Sequence, residues 1–112
     1  MRGPMPDNKS IMAQATSTDL PLERIAELCR RYHVRELSLF GSAARGDAGP
    51  DSDIDFLVDF QPGAAIGLLD YAGLMNDLSE LVRRKADLVS KPGLKPSIRD
   101  SVLAEARVIY AA

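Results

Sequence analysis

The stretch Asp53-Ile54-Asp55-Phe56-Leu57-Val58-Asp59-Phe60 alternates two kinds of side chain with period two. In an extended chain successive side chains point to opposite faces, so Ile54, Phe56, Val58 and Phe60 make one apolar face. Asp53, Asp55, Leu57 and Asp59 make the other. Pro62-Gly63 closes the segment. A chain containing this strand must bury one side of a sheet while the other presents carboxylates. Asp53 and Asp55, two residues apart, have Cβ atoms about 6.5–7 Å from each other at a rise of about 3.3 Å per residue. Facing negative charges are unfavourable without a cation. Carboxylates at this separation can lean together onto divalent ions, and oxygen-only ligands suit Mg²⁺ or Mn²⁺. Taken alone, the pair reads better as a solvated strand face or a turn cap than as a metal site.

Flanking patterns supply the rest of a domain. Leu22, Ile25, Ala26, Cys29 and Tyr32 follow helical spacing. Pro21 suits a first turn, Asp19 or Thr18 suits its cap, and Arg30 and Arg31 suit the C-terminal end of the dipole. Leu37–Phe40 reads as a short strand. Residues 66–84 read as a helix with Leu68, Leu69, Ala72, Met75, Leu78 and Val82 inward and Asp70, Asp77, Arg83 and Arg84 outward. Ala86–Ser90 reads as a third strand stopped by Pro92-Gly93. A last helix is expected from Pro96, with Ser97 and Asp100 spaced as a capping box, running through Ile98, Val102, Ala106, Ile109 and Tyr110. The order helix–strand–turn–strand–helix–strand–helix defines an α/β or α+β domain over residues 19–112. Residues 1–18 are polar and aperiodic, and read as a disordered leader.

Composition narrows the function. Fourteen basic against sixteen acidic residues give a net charge of −2, so no broad basic surface for nucleic acid is expected. No apolar run approaches the roughly 20 residues of a membrane span. The single cysteine excludes an internal disulfide framework and a multi-cysteine zinc site. A cytoplasmic location is expected.

Ser42 stands eleven residues before Asp53, with Gly41 ahead of it at the end of a strand. Glycine lets a phosphate approach the backbone, and a small residue opening a helical turn offers N–H groups and a hydroxyl to phosphate oxygens. Arg45 lies on the same loop. It either adds charge for phosphate or pairs with Asp47 or Asp51. Together these parts suit the holding of a triphosphate by its outer phosphates, beside metals that activate the α-phosphate.

Gly41-Ser42, ten intervening residues and Asp53-Ile54-Asp55 resemble the signature of the polymerase-β-like nucleotidyltransferases. The string GSAARGDAGPDSDIDFLVDF resembles their small branch, the minimal nucleotidyltransferases, and the likeness runs from about Val34 to Ala111. The resemblance implies a small mixed β-sheet flanked by helices. It also implies a third metal-binding carboxylate on a neighbouring strand, matched here by Asp87 in Lys85-Ala86-Asp87-Leu88-Val89. In that scheme Asp53, Asp55 and Asp87 bind two Mg²⁺ ions, and Asp87 sits beside the acceptor. Gly41 and Ser42 hold ATP, with Arg45 as a further candidate for binding it, and AMP is transferred. The resemblance further implies a partner, a HEPN-type toxin adenylylated on a tyrosine, which makes this chain the antitoxin. Two other readings stand beside it: a free-standing transferase acting on a small molecule such as an aminoglycoside, and a binding module without catalysis.

The remaining residues receive plainer readings. Asp59 is read as a surface carboxylate, Ser52 as a cap at the start of the strand, His33 as a helix-end residue and Cys29 as a buried thiol. Arg83-Arg84-Lys85 reads as a solvated helix terminus, with a docking patch for an acidic partner as the alternative. Tyr71 is undecided between solvent and a partner.

Overall fold

A computed structural model of the chain describes residues 20–47, 49 and 51–112. The leader and the caps expected at Thr18 and Asp19 lie outside the described residues. The elements are α1 (Leu22–Arg31), β1 (Val34–Phe40), α2 (Ser42–Arg45), β2 (Ile54–Phe60), α3 (Leu68–Val82), β3 (Ala86–Ser90), α4 (Pro96–Glu105) and β4 (Arg107–Ala111). A 3-10 turn, Lys91–Gly93, precedes α4. The four strands form one sheet in the order β3-β2-β1-β4. β1 is antiparallel to β2 and β4, whereas β2 and β3 are parallel. A parallel pair needs a crossover, which α3 supplies.

Alternation sets the layers. Leu37 and Leu39 of β1, Ile54, Phe56 and Val58 of β2, and Ala86 and Leu88 of β3 are buried against Ile25, Leu28 and Cys29 of α1 and Leu74 and Leu78 of α3. α1 and α3 therefore cover one side of the sheet. The opposite side carries Asp55, Asp59 and Asp87, the residues of the other parity.

α1 opens with Pro21 at its N-cap and ends before His33, whose φ of 60° turns the chain into β1. The His33 carbonyl accepts the Gln61 N–H at 2.8 Å, tying this corner to the end of β2. Cys29 is fully buried, and burial pushes its thiol up to about 12, with Arg30 acting weakly the other way. The reactive species is the thiolate, about one part in ten thousand at pH 8 for such a thiol. Ellman's reagent is therefore expected to label Cys29 only as fast as the protein unfolds. Rapid labelling under native conditions contradicts the burial.

The structure departs from the sequence reading in several places: β1 starts at Val34 rather than Leu37, and α3 spans Leu68–Val82 rather than 66–84. The last helix stops at Glu105, and Ala106 (φ −63°, ψ 139°) turns the chain into β4. Val108, Ile109 and Tyr110 are strand-favouring residue types, and they pair with the otherwise open edge of β1. The capping box expected at Ser97 and Asp100 is not used: α4 begins at Pro96 behind Lys95, without a side-chain cap. In α3, Leu68 and Leu69 are 83% and 87% exposed and Ala72 is exposed. The stripe that meets the sheet starts one turn later, at Tyr71, and continues through Leu74, Met75, Leu78 and Val82. Asp70 instead caps α3, accepting the Gly67 N–H at 3.0 Å. Asp77, expected in solvent, accepts the Tyr32 hydroxyl at 2.8 Å.

Candidate active site

β1 gives way after Phe40 to Gly41, whose φ of 69° and ψ of −146° lie where side-chain-bearing residues are strained. The chain turns there into α2, a single turn pinned by buried Ala43 and Ala44 and ended by Gly46 at φ 79°. The first N–H groups of a helical turn have no acceptor within it. At this place they belong to Ser42 and Ala43, beside the end of the sheet. The return loop is closed by a small ring of bonds: the Ser52 N–H donates to the Gly49 carbonyl (3.1 Å), and the Gly49 N–H donates to Ser52 Oγ (3.0 Å). The Arg84 guanidinium donates to the same Gly49 carbonyl at 2.9 Å. The C-terminal end of α3 thereby fixes the loop that delivers Asp53 to β2.

Register brings the acids together. Asp55 lies beside Asp87 across the parallel β2–β3 pair and opposite Phe40 across the antiparallel pair. A Cβ placed on Gly41 would lie 2.8 Å from Asp55 Oδ2, so the Gly41 backbone rests directly against this carboxylate. Burial, then the charges of Asp87 and Asp53, hold the Asp55 carboxyl above the usual carboxylate range. Among the described residues no three His, Cys, Asp or Glu side chains are already gathered to metal-ligand spacing. Asp53, Asp55 and Asp87 share a face and an electrostatic field rather than a closed cage. As a donor set they are all oxygen, mutually repelling and reachable from solvent, which fits a hard divalent cation.

Several nearby residues have partners of their own. The Arg45 guanidinium donates to Asp47 (3.4 Å) and to Glu105 near the end of α4 (3.2 Å). Asp59 is paired with Arg35, away from the other acids. Tyr71 is half-buried and donates its hydroxyl to the Leu88 carbonyl, which places its side chain inside the α3–β3 contact. Three residues acquire roles that local sequence did not signal: Arg84 braces the loop, Glu105 holds Arg45, and Lys85 comes within 4.0 Å of Asp87 Oδ1. Each depends on a contact or a register that only the folded chain creates.

Residues 22–109, which contain the Gly41-Ser42 loop and all three aspartates, match the family described as nucleotidyltransferase domain. The chain belongs to this nucleotidyltransferase family. It is 44% identical over 84 residues to protein adenylyltransferase MntA of Thermococcus cleftensis, an alignment that covers 75% of this chain and 81% of that one. A solved structure provisionally described as a minimal nucleotidyltransferase is 43% identical, with a TM-score of 0.67, and the match covers 77% of this chain and 86% of that one. The fold is also shared with a toxin–antitoxin crystal structure containing AMP-PNP, at 21% identity and a TM-score of 0.69, over 83% of this chain and 75% of that one. The resemblance to minimal nucleotidyltransferases and the mixed sheet flanked by helices are thus borne out. No helix among the described residues of this nucleotidyltransferase is long and apolar enough to cross a membrane.

Proposed function

We propose that this nucleotidyltransferase moves AMP from ATP to a tyrosine hydroxyl of a HEPN-type partner protein, with Mg²⁺ or Mn²⁺, in the cytoplasm, and that it thereby acts as the partner's antitoxin. The observation that carries this reading is the pairing of Asp55 with Asp87 across β2 and β3, with Gly41 packed on the Asp55 carboxylate. The relative named protein adenylyltransferase MntA supports AMP transfer to protein. The partner is suggested by the resemblance, and by a fold neighbour described as a tri-AMPylated Shewanella oneidensis HEPN toxin in complex with an MNT antitoxin (18% identity, TM-score 0.60).

In this scheme Asp53, Asp55 and Asp87 hold the metal ions. Divalent metal supplies Lewis-acid stabilisation of phosphate charge and makes an acceptor hydroxyl easier to deprotonate. Gly41 lets the polyphosphate approach the backbone, while Ser42 offers its N–H and hydroxyl. Arg45 adds positive charge on exchanging Glu105 or Asp47 for phosphate. Asp87, at the side of the acceptor, takes the hydroxyl proton on a carboxylate oxygen. The acceptor oxygen bonds to the α-phosphorus, the bond from that phosphorus to the bridging oxygen breaks, and pyrophosphate leaves.

The test is intact-mass measurement of a HEPN-type partner after incubation with this chain, ATP and Mg²⁺. A gain of one or more AMP units is expected, and Asp53→Asn is expected to remove it. Tight binding without a mass gain identifies a binding module. Transfer to an aminoglycoside with no partner present identifies a small-molecule enzyme.

A further inference from the structure

Register places a fourth charge among the three carboxylates. Ile54 lies beside Ala86 and Asp55 beside Asp87, and the Ile54 N–H donates to the Lys85 carbonyl at 3.0 Å. That bond ties the backbone at the start of β2, just after Asp53, to Lys85 just before β3. Lys85 immediately precedes β3, and its Nζ lies 4.0 Å from Asp87 Oδ1. Lys85 thus stands within ion-pair distance of Asp87, which lies beside Asp55 in the register, and Asp55 feels the charges of both Asp87 and Asp53.

We propose that Lys85 is a working residue of the transferase site, a counter-ion that pairs with Asp87 until metal and nucleotide arrive and then passes to the nucleotide's polyphosphate. The proposal rests on reading the three aspartates as the metal and nucleotide site. Three carboxylates on one face repel each other, and the Lys85 ammonium is the cation that register puts beside them. Its side chain is 71% exposed. Such a pair contributes little to folding and separates easily, so it suits exchange better than bracing. An ammonium on a four-carbon stem is a mobile point charge that can change partner without moving the backbone. Once a divalent cation neutralises Asp87, the polyphosphate oxygens are the stronger attraction.

This role makes two effects of opposite sign. Lys85→Met removes a competitor of the metal and a partner of the phosphates. Mn²⁺ binding to the full chain at low salt, followed by the electron paramagnetic resonance signal of free Mn²⁺, is expected to tighten about threefold. Binding of a non-hydrolysable ATP analogue in saturating Mn²⁺ is expected to weaken about tenfold. Lys85→Arg is expected to restore both. Unchanged values for Lys85→Met, or the two affinities moving in the same direction, overturn the proposal. Asp55→Asn serves as the control. If it loses Mn²⁺ while Lys85→Met matches the parent, only the role of Lys85 falls. If the parent binds Mn²⁺ no better than Asp55→Asn, the metal-site reading falls as well.

Discussion

Asp55→Asn is expected to abolish AMP transfer and, in the absence of divalent cations at neutral pH, to melt at a higher temperature than the parent protein. The two effects share a cause. Burial, Asp87 and Asp53 all disfavour the ionised Asp55 carboxyl, so it takes up a proton more readily in the folded chain than in the unfolded one. Its contribution to stability is therefore present at pH below the ordinary carboxylate range and is lost as pH rises through the raised folded value. Asn mimics the protonated form and keeps that contribution at neutral pH. In thermal scans with EDTA the advantage of Asp55→Asn should be full at pH 7 and vanish below about pH 4. Saturating Mg²⁺ should reverse the order, because a ligand that binds only the folded parent stabilises it by mass action. Transfer should fall by at least about a hundredfold, the scale on which support of a metal site is lost. A variant that melts lower in EDTA, or one that keeps its activity, removes Asp55 from the centre of the site.

The strand that carries Asp55 was readable because three signals agree there: alternation broken only at Leu57, a Pro-Gly stop and strand-favouring residue types. The loop before it was readable for a different reason, since Gly41-Ser42 and Asp53 keep a spacing that serves one chemistry. The failures have a common physical origin. Whether residues 106–111 continue a helix or become a strand is decided by the free edge of β1, which lies about seventy positions away in the chain. Nothing between Glu105 and Arg107 breaks a helix locally. Leu68 and Leu69 are apolar and correctly spaced for an inward face, yet the sheet begins under Tyr71, one turn later. Arg84 looks like any cation at a helix end. Its bond to the Gly49 carbonyl exists because the β2–β3 crossover brings that end beside the loop. Local pattern determines what a residue is suited to, while register and crossover determine what it meets.

Gly41→Ala separates these two kinds of cause within one position. The Gly41 backbone, at φ 69° and ψ −146°, is in a region that costs a side-chain-bearing residue about 1–3 kcal/mol. Independently, the new Cβ would come within 2.8 Å of Asp55 Oδ2, closer than real contacts allow, so the carboxylate must shift. The first cost belongs to the chain alone, and the second depends on the partner. Urea unfolding of the parent, Gly41→Ala, Asp55→Ala and the double variant resolves them. In the Asp55→Ala background the oxygen is gone, and only the backbone cost remains. Non-additivity of about 0.5–3 kcal/mol is expected, with the double variant less destabilised than the sum of the singles. Transfer by Gly41→Ala should drop about a hundredfold even at temperatures where it is fully folded, since displacing a reacting group by about 1 Å has effects of that size. Strict additivity would mean that Asp55 does not rest against Gly41, and the loop would then position the phosphates without also positioning the carboxylate.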